Sequence, residues 1–166
     1  MNRIVGGILG GATGIAVMSV IFLMLEVETR EQVQAFDAVA RYVGMPGSTA
    51  LGFVVFAFVG TFIWPLLFVA IEPYLLFDDS PSNGMTLGAI LWVAFFVLGR
   101  GDLAGPLLVI FGGFSLAAHL AYGFVLGALS DRFDDASDST VDQPPDAASN
   151  RPCRYLQPPD AAGNRP

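Results

Sequence analysis

The sequence predicts an all-α integral membrane protein: a bundle of four transmembrane helices with a short amphipathic interfacial helix and a disordered acidic tail. Three observations predict it. First, four runs lack any charge, and they are 22, 25, 20 and 27 residues long. About 20 residues of helix cross the hydrocarbon core of a bilayer. Second, the 166 residues are 54% hydrophobic and only 14% charged, where soluble domains carry about 25%. Third, the charges are segregated. Of the 23 Asp, Glu and Arg residues, 11 lie from Asp131 onward. The division is therefore a transmembrane domain over 1–130 and a tail over 131–166. The expected spans are approximately 4–25, 47–76, 82–99 and 103–129.

The first span, Ile4–Leu25, follows Arg3 and is too long for the apolar core of a signal peptide, which usually has about 7–15 residues. It reads as an uncleaved helix. Gly6, Gly10 and Gly14 recur every fourth residue, as do Gly7 and Gly11. Small residues at that spacing let another helix approach closely. Glu26–Pro46 is a polar connection. Thr29-Arg30-Glu31-Gln32 has the form of a capping box. Val33, Phe36, Ala40 and Val43 then recur at helical spacing, and Asp37 and Arg41 can pair four apart. This predicts an amphipathic helix on the membrane surface, held by Phe36 and the valines against lipid or the bundle. Gly44 and Pro46 end it.

The second span contains Pro65, which removes a backbone donor, frees the carbonyl of Thr61 and predicts a kink. Asp78–Gly84 reads as a turn. The third span has a strongly apolar part, Met85–Leu98, of only 14 residues. At about 1.5 Å per residue it needs Ser82, Asn83 and Gly84 to cross. The fourth carries Pro106 in its first turn, then Gly123 and Gly127 four apart. Four spans put both termini on one side. Arg3 and Arg132 face Arg30, Arg41 and Arg100, so the positive-inside count does not fix that side. Placing both termini in the cytoplasm spares the tail from translocation. The tail is rich in Asp, Ala and Pro, too poor in apolar residues to fold. It repeats ten residues, 143–152 and 157–166, with nine identical.

There is no lysine, and the net charge is −7. A nucleic-acid binder carries the opposite balance, so nucleic acid is excluded as a partner; the bilayer is the expected one. Absent Lys with abundant Asp is similar to the composition of halophile proteins. Cys153, the only cysteine, allows no intrachain disulfide.

Glu72 and His119 are the ionisable groups at membrane runs, and such groups are functional candidates. Glu72 lies about 15 Å from the middle of its span, which predicts a carboxylate at the interface in water, apart from His119. His119 lies near mid-membrane with Tyr122 three residues on. Four uses are open to it: a hydrogen bond to Tyr122, Ser115, Thr13 or Ser19; contact with a partner subunit or its cofactor; a proton relay; or haem ligation with a residue such as Met18. Zinc needs more ligands than lie at that depth. No nucleophile elbow or phosphate loop is present. The chain reads as no enzyme, with no metal or cofactor of its own.

Gly6–Gly14, Phe36–Ala40 and His119–Gly127 resemble a family of small haloarchaeal four-helix membrane proteins, over residues 1–130. Some of its members resemble accessory subunits of ba-type terminal oxidases. The resemblance implies a non-catalytic accessory subunit of a respiratory oxidase-like complex. The glycine rows, Gly6, Gly10 and Gly14 with Gly123 and Gly127, would then meet other membrane subunits. The alternative is a small self-associating transporter or channel, with Pro65, Gly60 and His119 along its path.

Overall fold

The structure is a computed structural model that describes residues 2–30 and 32–141. Cys153 and the repeated decapeptide lie outside the described residues. All regular structure among the described residues is helical. Helix α1 runs from Asn2 to Glu28. A short helix α2, Ala35–Tyr42, follows. The next long helix is α3, Thr49–Phe58, continued through a π-helical turn, Val59–Ile63, into α4, Trp64–Ile71. Helix α5 spans Ser80–Gly99, and α6 spans Pro106–Val141. Four helical stretches, Arg3–Glu28, Thr49–Tyr74, Ser80–Gly99 and Pro106–Phe133, are long and apolar enough to cross a membrane.

Glycines set the order of packing. Gly6, Gly10 and Gly14 of α1 face α6. A Cβ on Gly10 would come 2.9 Å from the Leu126 carbonyl oxygen, and one on Gly14 2.7 Å from the Tyr122 ring. Gly7 and Gly11 face the other way. A Cβ on Gly7 would come 3.1 Å from Val69, and one on Gly11 2.8 Å from the Gly60 carbonyl oxygen. Helix α6 in turn meets α5 backbone to backbone: Gly123 lies on Gly84, Gly88 on the His119 carbonyl, and Gly127 on Ser80. The order across the bundle is therefore second long helix, α1, α6, α5. The expected contact glycines are all filled by this chain itself. They correct the expectation of outward faces for partner subunits.

Helix α2 straps one end of this row. Ala35, Phe36, Ala38, Val39 and Ala40 are buried. The Phe36 ring packs on Phe22, Phe53 and Phe56. Gly52 lets the second long helix close on the Phe36 carbonyl. On the far side the Tyr42 hydroxyl donates to the Phe95 carbonyl at 3.3 Å. Burial raises the Tyr42 hydroxyl above the usual phenol range, with Arg41 opposing, so it remains a donor. The amphipathic helix thus uses its apolar face against the bundle.

Three boundaries differ from expectation. Thr29 does not cap α2. Its Oγ1 donates back to the Leu25 carbonyl at 2.7 Å, because α1 continues its hydrogen-bond ladder past Leu25. Helix α2 starts six residues later behind Gln34, which makes no side-chain cap. Helix α5 begins at Ser80 rather than Ser82, and Gly84 lies inside it rather than in a turn. Asp79 caps it, accepting the Ser82 N–H at 2.9 Å, and hydrogen bonding from Ser82 holds the Asp79 carboxyl below the usual carboxylate range. Asn83 is buried and exchanges two hydrogen bonds with the Phe77 backbone, at 3.1 and 2.8 Å. The polar start of α5 is thereby satisfied, and its 20 residues give about 30 Å of helix. Helix α6 starts at Pro106 rather than Leu103 and continues to Val141, past the expected tail boundary at Asp131.

Candidate functional site

The second long helix and α5 stand at the two ends of the row, so their inner faces do not close on each other. Between them lies a groove of about 370 Å³. Its walls include Val55 and Val59 on one side, Leu91 and Ala94 on the other, and its floor is Ile15, Met18, His119 and Tyr122. Val39 and Tyr42 of α2 cover one end. Such a volume lies within the usual range for small-molecule sites, about 300–1,000 Å³.

The floor is built by a backbone irregularity. Trp64 donates its N–H to the Val59 carbonyl, five residues back. Pro65 has no N–H. The Gly60 carbonyl therefore loses its helical donors on both registers. A π-turn of this kind is common where a helix serves a site. The Tyr122 hydroxyl donates to the Gly60 carbonyl at 2.6 Å, across from α6. Expected at Thr61 for a regular helix, the carbonyl that takes a side-chain donor is that of Gly60, because the turn is wider. Pro65 itself is buried against Gly11 and is not among the residues lining this groove.

Removing the Tyr122 hydroxyl leaves a buried carbonyl without a donor. Tyr122→Phe is expected to lower stability by about 1–2 kcal/mol. Denaturant titration of helicity in mixed micelles measures it. A change below about 0.3 kcal/mol would mean that water or another donor reaches Gly60.

His119 is 5% exposed and sits 13 residues from Pro106 and 14 from Phe133, the ends of its apolar stretch. Its Nδ1 lies 2.7 Å from the Ser115 carbonyl oxygen. A carbonyl only accepts, so Nδ1 carries the proton and neutral Nε2 is an acceptor. Among the described residues no hydrogen bond engages Nε2. The rings of Phe95 and Phe22 flank the imidazole, with centroids at 5.2 and 6.3 Å. Of the expected partners, then, Ser115 is the one used, through its carbonyl. Tyr122 shares the groove with His119 but spends its hydroxyl on Gly60. Met18 lines the same groove.

Glu72 belongs to the opposite end of the molecule from α2. It is 7% exposed rather than in water. Its Oε2 pairs with Arg3 at 2.6 Å, and its Oε1 accepts the Ser80 hydroxyl. The carboxylate ties the starts of α1 and α5 to the end of the second long helix. It is not among the residues that line the groove holding His119.

Gly84 and Gly88 are helix-contact glycines that sequence reasoning missed. Their spacing of four, the same as in α1, was the available signal. No curated protein and no solved structure matches the chain. Residues 1–141 match DUF6789, a family of unknown function, and the chain belongs to that family.

Proposed function

We propose that this protein is a non-catalytic, multi-pass protein of the cell membrane, with both termini in the cytoplasm. It serves as an accessory component of a membrane complex. The observation that carries the reading is the apolar surface that the described residues leave uncovered, on the second long helix and in the groove between it and α5. On the second long helix only 17% of the apolar stretch is buried within the chain, against 39% for α1 and α6. The polar groups at mid-depth are committed to backbone carbonyls rather than to an acid–base pair: Tyr122 bonds to Gly60 across two helices, and His119 bonds to Ser115 within α6. The resemblance to accessory subunits of ba-type terminal oxidases supports a respiratory partner. That partner meets the outer face of the second long helix, where Val54 and Phe58 are exposed, and not the glycine rows.

The test is purification of the tagged protein from gently solubilised membranes in high salt, with an absorption spectrum of the eluate. Co-elution of large subunits with haem bands is expected. A colourless homo-oligomer overturns the reading. The transporter alternative has one observation in its favour: Gly60 and His119 line the same groove. Proton-dependent flux in vesicles, lost in His119→Ala, would establish it in place of the accessory role.

A further inference from the structure

We propose that the groove binds a single-chain apolar molecule whose head carries a hydroxyl, and that this hydroxyl donates to His119 Nε2. The inference deepens the accessory reading, on which it rests for its membrane setting. It stands on the shape of the groove and on the hydrogen-bond inventory of its walls.

The inventory is unbalanced. His119 has its proton committed to the Ser115 carbonyl. Tyr122 has its hydroxyl proton on the Gly60 carbonyl, and Tyr42 has its own on the Phe95 carbonyl. All three groups line the groove, and all three can now only accept. Trp64 also lines it and brings an indole N–H, which only donates. Nε2 is the one of these acceptors that carries no hydrogen bond at all among the described residues, and it belongs to a residue more than nine-tenths buried. An unmatched acceptor in an apolar site costs about 1–3 kcal/mol. Any occupant that carries a donor recovers that cost, and one that carries only lone pairs does not.

That rule selects among membrane molecules. A hydroxyl donates to Nε2 and can still accept from an indole. An ether, ester or quinone head offers lone pairs alone and leaves Nε2 facing them. Acyl chains fill the groove but leave Nε2 bare. The volume of about 370 Å³ takes one chain rather than a two-chain lipid. A long-chain or isoprenoid alcohol and a prenylated hydroquinone both have this chemistry.

His119 is the only histidine in the chain, so a protein labelled with nitrogen-15 histidine gives a single imidazole spectrum. The protein is placed in vesicles of diacyl phosphatidylcholine, which carries no hydroxyl donor, and 1-dodecanol or dodecyl methyl ether is added. Expected is an unlabelled-lipid spectrum with protonated Nδ1 and bare Nε2. Dodecanol should move the Nε2 resonance saturably, and the ether should not. Ala94 is exposed on the groove wall, and Ala94→Trp should raise the half-saturating alcohol concentration about tenfold or more. Leu98→Trp, at the exposed lip, is the second variant should the first not fold. A prenylated hydroquinone and its quinone form a second pair. A shift by the reduced form alone, at lower concentration than dodecanol, names hydroquinone as the source; the reverse order names an alcohol. Equal shifts from alcohol and ether, no shift from any probe, or a protonated Nε2 in lipid alone overturn the inference. None of these results touches the co-purification test, so the two readings fail separately.

Discussion

Gly123→Leu is expected to abolish the folded bundle, whereas Gly113→Leu is expected to leave it intact. Both glycines lie on α6 in the same apolar setting, and they differ in what a side chain would meet. A Cβ at Gly123 would collide with the Gly84 carbonyl and come 3.1 Å from the Met85 Cα. Nothing lies within 4 Å of a Cβ at Gly113. Overpacking against side chains costs about 1–3 kcal/mol because they can turn aside. Backbone cannot turn aside, so α5 and α6 must separate. Separation also breaks the matching approaches at Gly88 and Gly127 on the same face, and together these losses should exceed about 4 kcal/mol, in the range of the most damaging single substitutions. Gly113→Leu should be neutral or gain a few tenths of a kcal/mol from helix propensity. Size-exclusion profile and resistance to protease in mild detergent report the outcome. A Gly123→Leu protein with native profile and protection would show that α5 and α6 do not meet as described.

The same contrast shows what sequence can and cannot reveal. Glycines four apart are visible in the text, and so is their use in close helix contact. What occupies the facing side is not visible, because one row of small residues looks the same whether its partner is another subunit or another part of the chain. Here α1 carries two rows a residue apart, and each takes a different neighbour. Gly84 and Gly88 had the required spacing, but Gly84 stands at the polar start of the run, in a stretch that also reads as a turn. Asn83 bonded to the Phe77 backbone is what makes that start part of the helix.

The candidate site was half legible. An imidazole in mid-run with a tyrosine three residues on marks one helix face. The groove in front of it depends on the order in which four helices pack, and no local pattern encodes that order. The π-turn is similar. Pro65 announces a broken ladder, but the register that leaves Gly60 rather than Thr61 for Tyr122 comes from the π-turn at Val59–Ile63, which packs against Gly11 and Ile15 of another helix. Thr29 misled for a different reason. A threonine three residues before a glutamine suits a helix start, yet the same hydroxyl at a helix end can bond to the carbonyl four residues back, and a long apolar ladder wins.

Glu72→Ala is expected to loosen the end of the bundle opposite α2 and to lower stability by about 2–3 kcal/mol. The carboxylate accepts from Arg3 and from Ser80, so its loss strips a charged acceptor from two other helices at once. Removing one partner of a fully buried ion pair costs about 3–5 kcal/mol. The Arg3 side chain is 41% exposed, against 6% for Glu72, so water recovers part of that cost and the lower figure applies. Glu72→Gln keeps an acceptor for Ser80 and loses only the charge, and should fall between the two. Amide hydrogen exchange separates this effect from global unfolding: protection should drop first around Ile71–Asn83 and the start of α1, while Phe22, Phe36 and Phe95 at the strapped end stay protected. Equal loss at both ends would mean that Glu72 supports the whole core. No loss at either end would mean that Arg3 and Ser80 are satisfied without it, and that the carboxylate at this position is free for another role.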